Sequence, residues 1–268
     1  MTATLVPMIP GNYSDHVSKV RWDNATAQPQ LNGQRCFVYC QDDVVKIVTT
    51  AGIEIKSVQH INASLIHAFK KMPEIILDGF LVNPAVKEAT FKKYLKQKNK
   101  NNADVKFLIC DQVASTPFMA RFKTLEYFAA GPVSCVETVK IRNREDLGFY
   151  QSRCLSFGHD GMCLRHSADG YKHGQAACLL TVNTAKYKDF QVNDLKPGTG
   201  DFAGLGVIIC ETPDGDEFEV VCPAKLMRIE DLFQRFKTKR PKKLVIAYFD
   251  YTLGADCVPR FPVAVKFQ

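Results

Sequence analysis

The sequence predicts an α+β domain followed by a small β-barrel, and two patterns along the chain carry that prediction. In the first two-thirds, short runs of β-branched and aromatic residues alternate with stretches whose apolar residues recur at helical spacing. After about residue 189 the helical pattern fades, and strand-like runs follow with one helix-like stretch, AKLMRIEDLFQRF. Short strands in a segment of this length are typical of a closed barrel, of which the OB-fold is the commonest nucleic-acid-binding form.

The segment at residues 194–204, DLKPGTGDFAG, is rich in glycine and turn-forming residues, which indicates a linker. We therefore place the first domain at residues 1–190 and the second at residues 191–268. In one predicted helix, Thr116 has the character of an N-cap, and Pro117 would take the first helical position. The helical periodicity of the first domain covers residues 60–72, 87–98, 116–130 and 144–158.

The composition is that of an ordinary globular protein, with 46% hydrophobic and 24% charged residues. The N-terminal sequence lacks the basic start and the apolar run of a signal peptide, so we expect none. The sequence also contains no apolar run long enough to predict a membrane span. The ten cysteines are scattered through mostly apolar runs without a CxxC motif. This pattern favours reduced, buried thiols in a cytoplasmic protein over a zinc site.

The formal net charge of +7 reflects two lysine-rich stretches, at residues 87–100 and 235–243. One interpretation is a solvated face, and the other is contact with a polyanion. Because two such stretches lie in two different domains, we favour contact with the DNA backbone. The predicted DNA contacts are Lys92, Lys93, Lys96, Lys239, Lys242 and Lys243.

Several segments resemble, in the same order, the motifs of small two-domain ATP-dependent DNA ligases. The family motif K-x-D-G-x-R resembles PQLNGQRC at 29–36, and L-D-G-E-L resembles ILDGFLV at 76–82. A family strand that ends in Phe-Asp resembles FLICDQV at 107–113, and E-G-x-V-x-R resembles HDGMCLRH at 159–166. The motif L-L-K-x-K with the segment after it resembles ACLLTVNTAKYKDFQV at 177–192, and R-F-P resembles VPRFPV near the end. The resemblance covers about residues 20–268. It implies a nucleotidyltransferase (adenylation) domain followed by an OB-fold.

The residues that handle ATP in that family are largely replaced here. Gln30 stands for the nucleophilic lysine, Asn32 for an aspartate, Phe80 for the metal-binding glutamate, Cys110 for the aromatic that stacks on adenine, and Thr181 and Asn183 for two phosphate-binding lysines. A different register would place Lys186 and Lys188 at those last two positions. Because an amide nitrogen is not a useful nucleophile, we expect neither ATP as a cofactor nor nick sealing.

Other motif residues match the family, and they lead to three functional hypotheses. Arg35 and Arg165 match arginines of the family's motifs, and we expect them to contact double-stranded DNA, either intact or nicked. The favoured hypothesis is a DNA-binding pseudoenzyme, and its alternatives are a nicking endonuclease and a divergent DNA ligase. The nickase would use His159, Asp78 and Asp160 as catalytic residues, with Mg²⁺ or Mn²⁺ held by Asp78, Asp111 and Asp160. His159 has a simpler interpretation as a surface or loop residue.

Ligases of this size occur often in viruses and phages. The resemblance therefore implies a phage origin and a location in the host cytoplasm.

Overall fold

The computed structural model describes residues 5–83, 85–86, 88–96, 100–183, 185–252 and 257–268. The chain divides into two compact units, and each is discontinuous in sequence. The first unit combines residues 1–140 with 163–181, and the second combines residues 141–162 with 182–268. None of the described helices has the length and apolar character required to cross a membrane.

The described residues of the first unit form two five-stranded sheets and three α-helices. Its strands are β1 (Met8–Asn12), β2 (Ala25–Pro29), β3 (Gln34–Gln41), β4 (Val44–Thr49), β5 (Ile76–Val82), β6 (Lys106–Gln112), β7 (Val133–Cys135), β8 (Val139–Ile141), β9 (Met162–His166) and β10 (Gly174–Val182). Its helices are α1 (Gln59–Lys71), α2 (Glu88–Tyr94) and α3 (Phe118–Leu125). The strand orders are β4-β3-β5-β6-β7 and β1-β10-β9-β2-β8.

The first of these sheets is organised by a tight hairpin and by one apolar helix face. Asp42 and Asp43 join β3 to β4 with φ angles of 52° and 59°, as a two-residue hairpin turn of right-handed twist requires. On α1, Ile61, Leu65 and Phe69 recur at four-residue spacing and are fully buried. They belong to the main hydrophobic core together with side chains of the sheet.

Gly79 on β5 lies where a side chain has no room. A Cβ built at this position would come within 2.3 Å of the backbone oxygen of Leu108 and 2.8 Å of the ring of Phe107. We expect Gly79→Ala to destabilise the chain by about 1–3 kcal/mol, because the strands must move apart. Urea unfolding measures this change. Gly11→Ala is the matched control, since its nearest neighbours lie 3.4 Å away, and an equal loss in both variants would contradict the prediction.

The second unit contains a closed five-stranded barrel and two helices. Its elements are α4 (Arg144–Ser156), β11 (Lys186–Pro197), β12 (Gly206–Glu211), β13 (Glu217–Cys222), α5 (Ile229–Thr238), β14 (Lys243–Tyr248), β15 (Asp250–Tyr251), β16 (Pro259–Arg260) and β17 (Val263–Phe267). The barrel order is β11-β12-β13-β17-β14, and β15 pairs with β16. Its core includes Phe190, Ile208, Val220 and Leu244.

Two details of the sequence-based prediction are wrong. The predicted linker begins too early, because residues 194–197 continue β11 and pair with β12. Leu195 packs against the barrel core while its neighbours Asp194 and Lys196 are exposed, which is strand alternation that turn-forming residues obscured. The N-cap of α3 is Pro117 rather than Thr116, and no side chain caps this helix.

Candidate functional site

The structure brings three of the predicted motif segments onto adjacent strands. In the register of β3, β5 and β6, Arg35 lies opposite Phe80, and Asp78 lies opposite Asp111. The segment with Gln30 joins β2, a strand of the other sheet of this unit, to β3. Its Gly33 has no room for a side chain, since a Cβ there would lie 2.4 Å from the backbone oxygen of Leu81.

Asp78 is 1% exposed and is held by a cation and a hydroxyl. Arg35 donates to it through both Nε and Nη2, at 3.0 and 2.6 Å, and the Tyr171 hydroxyl donates at 2.6 Å. Burial and the charge of Asp78 raise the pKa of Tyr171, so its proton stays in place. Burial alone would lower the pKa of Arg35, but the hydrogen bonds and charge of Asp78 raise it. Arg35 therefore remains a cation with its guanidinium fixed.

Asp111 is also 1% exposed and accepts from two arginines. Arg121 donates through Nε at 2.8 Å and Nη2 at 3.1 Å, and Arg165 donates through Nη1 at 2.6 Å. The guanidinium of Arg165 also stacks 4.3 Å above the ring of Phe118. With 7% of its side chain exposed, Arg165 is committed to this internal network. The expectation that Arg165 contacts DNA is not supported, because its guanidinium is buried against Asp111.

The predicted metal ligands do not form a metal site. Among the residues that the structure describes, no group of three or more His, Cys, Asp or Glu side chains is placed to hold an ion. The carboxylates of Asp78 and Asp111 accept from arginine cations, whose charge would repel Mg²⁺ or Mn²⁺. Asp160 lies in the second unit, where it is 55% exposed and forms an ion pair with Lys225 at 3.5 Å. The donor set therefore does not fit a divalent cation.

The positions that would handle ATP carry no charge. The side-chain oxygen of Gln30 is buried and has no hydrogen-bond partner among the residues that the structure describes. The ring of Phe80 lies 5.9 Å from the guanidinium carbon of Arg35. Burial, followed by the charge of Asp78, raises the pKa of the Cys110 thiol, which is therefore neutral at physiological pH. Asn32 is exposed in the loop that precedes β3.

Thr181 and Asn183 are the residues predicted to replace the phosphate-binding lysines. Thr181 lies near the end of β10, and Asn183 directly follows that strand. Thr181 is partly buried and Asn183 is exposed, so neither supplies a positive charge. Lys186 and Lys188, the residues of the other register, lie at the start of β11 and are exposed. The ammonium group of Lys188 is 5.4 Å from the ring of Phe190.

A cleft in the first unit, which we call the first basic cleft, gathers lysines and hydroxyls. Its volume is about 780 Å³. Lys93 is exposed on α2 but does not line this cleft. Residues that line the cleft include Thr49, Thr50, Lys56, Ser57, Lys92 and Lys96. Two of the predicted DNA contacts in this unit therefore share one cleft.

The second basic cleft lies on the barrel, at the end of α5, and has a volume of about 790 Å³. Two of its cations are neutralised, because Arg240 pairs with Asp194 and Lys243 with Asp189, each at 3.2 Å. Among the described residues, Lys239 and Lys242 form no ion pair, and both are exposed. Its basic lining residues are Arg235, Lys239, Arg240, Lys242 and Lys243. All three lysines predicted in this unit therefore line one cleft.

The candidate hydrolytic residues lie in different units. His159 and Asp160 line a cleft of about 410 Å³ in the second unit, together with Tyr187 and Lys225. Asp78 belongs to the first unit. The carboxylate of Asp160 is engaged by the ammonium group of Lys225 rather than left open for a metal ion.

Two residues of the buried networks were not predicted from the sequence. Arg121 lies on the apolar face of α3, between the buried Phe118 and Leu125. A single arginine on an otherwise apolar helix face was the available signal for it. Tyr171 follows a turn and had no comparable signal in the sequence.

Comparison with known proteins gives a consistent result for the fold. No protein-family model and no curated protein matches the chain. The Chlorella virus DNA ligase-adenylate structure matches with a TM-score of 0.72 and 20% identity over 99% of each chain. The bacteriophage T7 ATP-dependent DNA ligase matches with a TM-score of 0.59 and 15% identity over 98% of each chain. A Lig E DNA ligase matches with a TM-score of 0.57 and 17% identity over 98% of this chain and 99% of that one. The chain therefore has the fold of the small DNA ligases, an adenylation-type domain with an OB-fold barrel, as the sequence predicted.

Proposed function

We propose that this chain is a DNA-binding protein with a ligase fold that neither adenylates itself nor seals nicks. The observation that carries the proposal is the pair of basic clefts, one on each unit, lined by exposed lysines. Lysines arranged in clefts are suited to phosphate oxygens, which supply most of the sequence-independent affinity for DNA. The three solved structures compared above are DNA ligases, which supports DNA as the ligand.

The loss of sealing follows from the groups at the ATP-handling positions. An amide such as Gln30 cannot form the covalent link to AMP that a lysine forms. Phe80, Thr181 and Asn183 supply no charge for a metal ion or a triphosphate. Catalytic groups act as a unit, so losses of this kind lower a rate by factors of 10³ or more.

The affinity for DNA is expected to depend steeply on salt. We expect fluorescence anisotropy to show binding to both nicked and intact duplexes at 50 mM salt. If all six predicted lysines contact phosphates, raising the salt to 200 mM should weaken binding by about 10³-fold. An absence of binding at the lower salt concentration would contradict the proposal.

The second basic cleft can be tested with two substitutions of exposed residues. The double variant Lys239→Ser and Lys242→Ser should weaken binding to every duplex sequence and lower the salt slope by about 2. Lys70→Ser with Lys123→Ser is the control of equal charge change, because neither residue lines a basic cleft. If the two double variants lose affinity equally, the effect is one of net charge rather than of the cleft.

A second candidate function, a nicking endonuclease, is favoured by one observation. His159 and Asp160 share a cleft with Tyr187 and Lys225, which is a set able to exchange protons. Incubation of supercoiled plasmid with Mg²⁺ or Mn²⁺ decides between the two functions. Under the DNA-binding proposal the plasmid stays supercoiled. Nicking that His159→Ala abolishes would replace that proposal by the endonuclease.

A further inference from the structure

We propose that the second unit binds one unstacked nucleobase of an unpaired DNA strand, in an aromatic pocket formed by Phe149, Phe202 and Phe261. This inference rests on the proposed DNA-binding function and specifies which part of the DNA the barrel recognises. The aromatic pocket has a volume of about 320 Å³. That volume is near the lower end for ligand sites, so it suits a single base rather than a whole nucleotide.

Three phenyl rings from separate parts of the second unit form the walls of the aromatic pocket. Phe149 is on α4, Phe202 ends a short 3-10 helix (Gly200–Phe202) after β11, and Phe261 follows β16. The ring centroid of Phe149 lies 6.4 Å from that of Phe202 and 6.0 Å from that of Phe261. Phe149 is nevertheless 39% exposed. Exposed phenyl faces around a cavity are the groups on which unpaired bases stack.

The backbone holds Phe261 in an unusual conformation at this place. Its φ angle is 52°, in the left-handed region that a bulky side chain rarely adopts. Gly148 of α4 makes room for the ring, since a Cβ there would lie 2.9 Å from it. Strained residues of this kind cluster at binding sites, where surrounding contacts fix a side chain in advance. The ring of Phe261 is therefore already positioned before any ligand arrives.

The rim of the aromatic pocket supplies polar groups for the edge of a base. Lys196 and Glu219 form an ion pair of 2.5 Å at its border, and both are largely exposed. Ser152 contributes a buried hydroxyl group to the lining. An apolar slot with a few polar groups is the usual form of a site that binds a planar heterocycle.

The aromatic pocket and the second basic cleft are both bordered by side chains that meet one exposed face of β11. Asp194 and Lys196 lie on the same exposed face of β11, two residues or roughly 7 Å apart. Asp194 holds Arg240 of the second basic cleft, and Lys196 borders the aromatic pocket. A DNA strand with one base in the pocket can therefore lay its adjoining phosphates on the cleft. Because bases inside a duplex are stacked and paired, this site favours an unpaired strand.

The test compares nicked duplexes that carry either an unpaired oligo-dT tail or an abasic tail of equal length. We expect Phe202→Ala to weaken binding of the dT-tailed duplex about tenfold, within the usual contribution of one stacked base. The same variant should bind the abasic-tailed and untailed duplexes as the wild type does. Phe202→Tyr should restore the affinity for the dT tail. A 2-aminopurine placed in the tail should lose fluorescence on binding wild type and regain it with Phe202→Ala.

Phe157→Ala is the matched control, because Phe157 is exposed on the same unit but does not line the aromatic pocket. An equal loss in this control, or an equal loss on the abasic tail, overturns the inference. Equal binding of tailed and untailed duplexes by the wild type would also overturn the inference. In each of these cases duplex binding persists, and the proposed function stands. A wild type that binds no DNA at low salt overturns both.

Discussion

Asp111→Ala is expected to destabilise the chain by about 3–5 kcal/mol, because it leaves two buried arginines without their shared carboxylate. Such a loss is a large part of the stability of a typical domain, which is about 5–15 kcal/mol. Arg121 is 1% exposed and cannot turn toward water to recover its solvation. Urea unfolding followed by circular dichroism measures the change.

Two further variants make this prediction specific. Arg165→Met should cost less than Asp111→Ala, since Asp111 keeps its two hydrogen bonds from Arg121. Asp169→Ala removes a carboxylate that pairs with Arg21 at the surface, and it should cost about 1 kcal/mol or less. If Asp111→Ala and Asp169→Ala were equally mild, the buried network would not contribute as its burial implies.

Placing a lysine at position 30 alone is expected to leave the chain unable to form an adenylate. Gln30→Lys supplies an amine, but Phe80, Thr181 and Asn183 still supply no charge for a metal ion or a triphosphate. Because these groups act together, we expect the adenylation rate to stay at least 10³-fold below that of an active ligase. Transfer of label from α-³²P-ATP to the protein measures it.

A small viral DNA ligase of the same fold is the positive control in that experiment, and the wild type is the negative control. Labelling of Gln30→Lys at a rate near that of the viral enzyme would show that only the nucleophile is missing. Labelling of the wild type would favour a divergent ligase that uses another residue.

The sequence was informative where a motif keeps its spacing and a strand keeps its alternation. Arg35, Asp78 and Asp111 were found through their motifs, and the structure places all three on adjacent strands. The pattern of short strands alone predicts the barrel. The predicted linker nevertheless begins at residue 194, inside β11, because Pro197 and the glycines after it are typical of a linker.

The remaining features depend on contacts that no local pattern encodes. The sequence does not show that Asp111 is shared by Arg121 and Arg165, since the two arginines lie 44 positions apart. The rings of Phe149, Phe202 and Phe261 likewise come from three distant segments. The metal prediction failed for the same reason, because the cations that occupy Asp78 and Asp111 are seen only in three dimensions.

The buried ion network of Asp78 and Asp111 changes how ligase-like motifs should be read in related chains. Its buried ion pairs contribute to the stability of the first unit, whatever ligand the protein uses. A chain that had lost every ligand would still gain this stability from them. Gln30, Phe80 and Asn183 carry no charge and take no part in these ion pairs. The presence of these aspartates and arginines therefore reports on the scaffold, and only the positions outside the network report on catalytic competence.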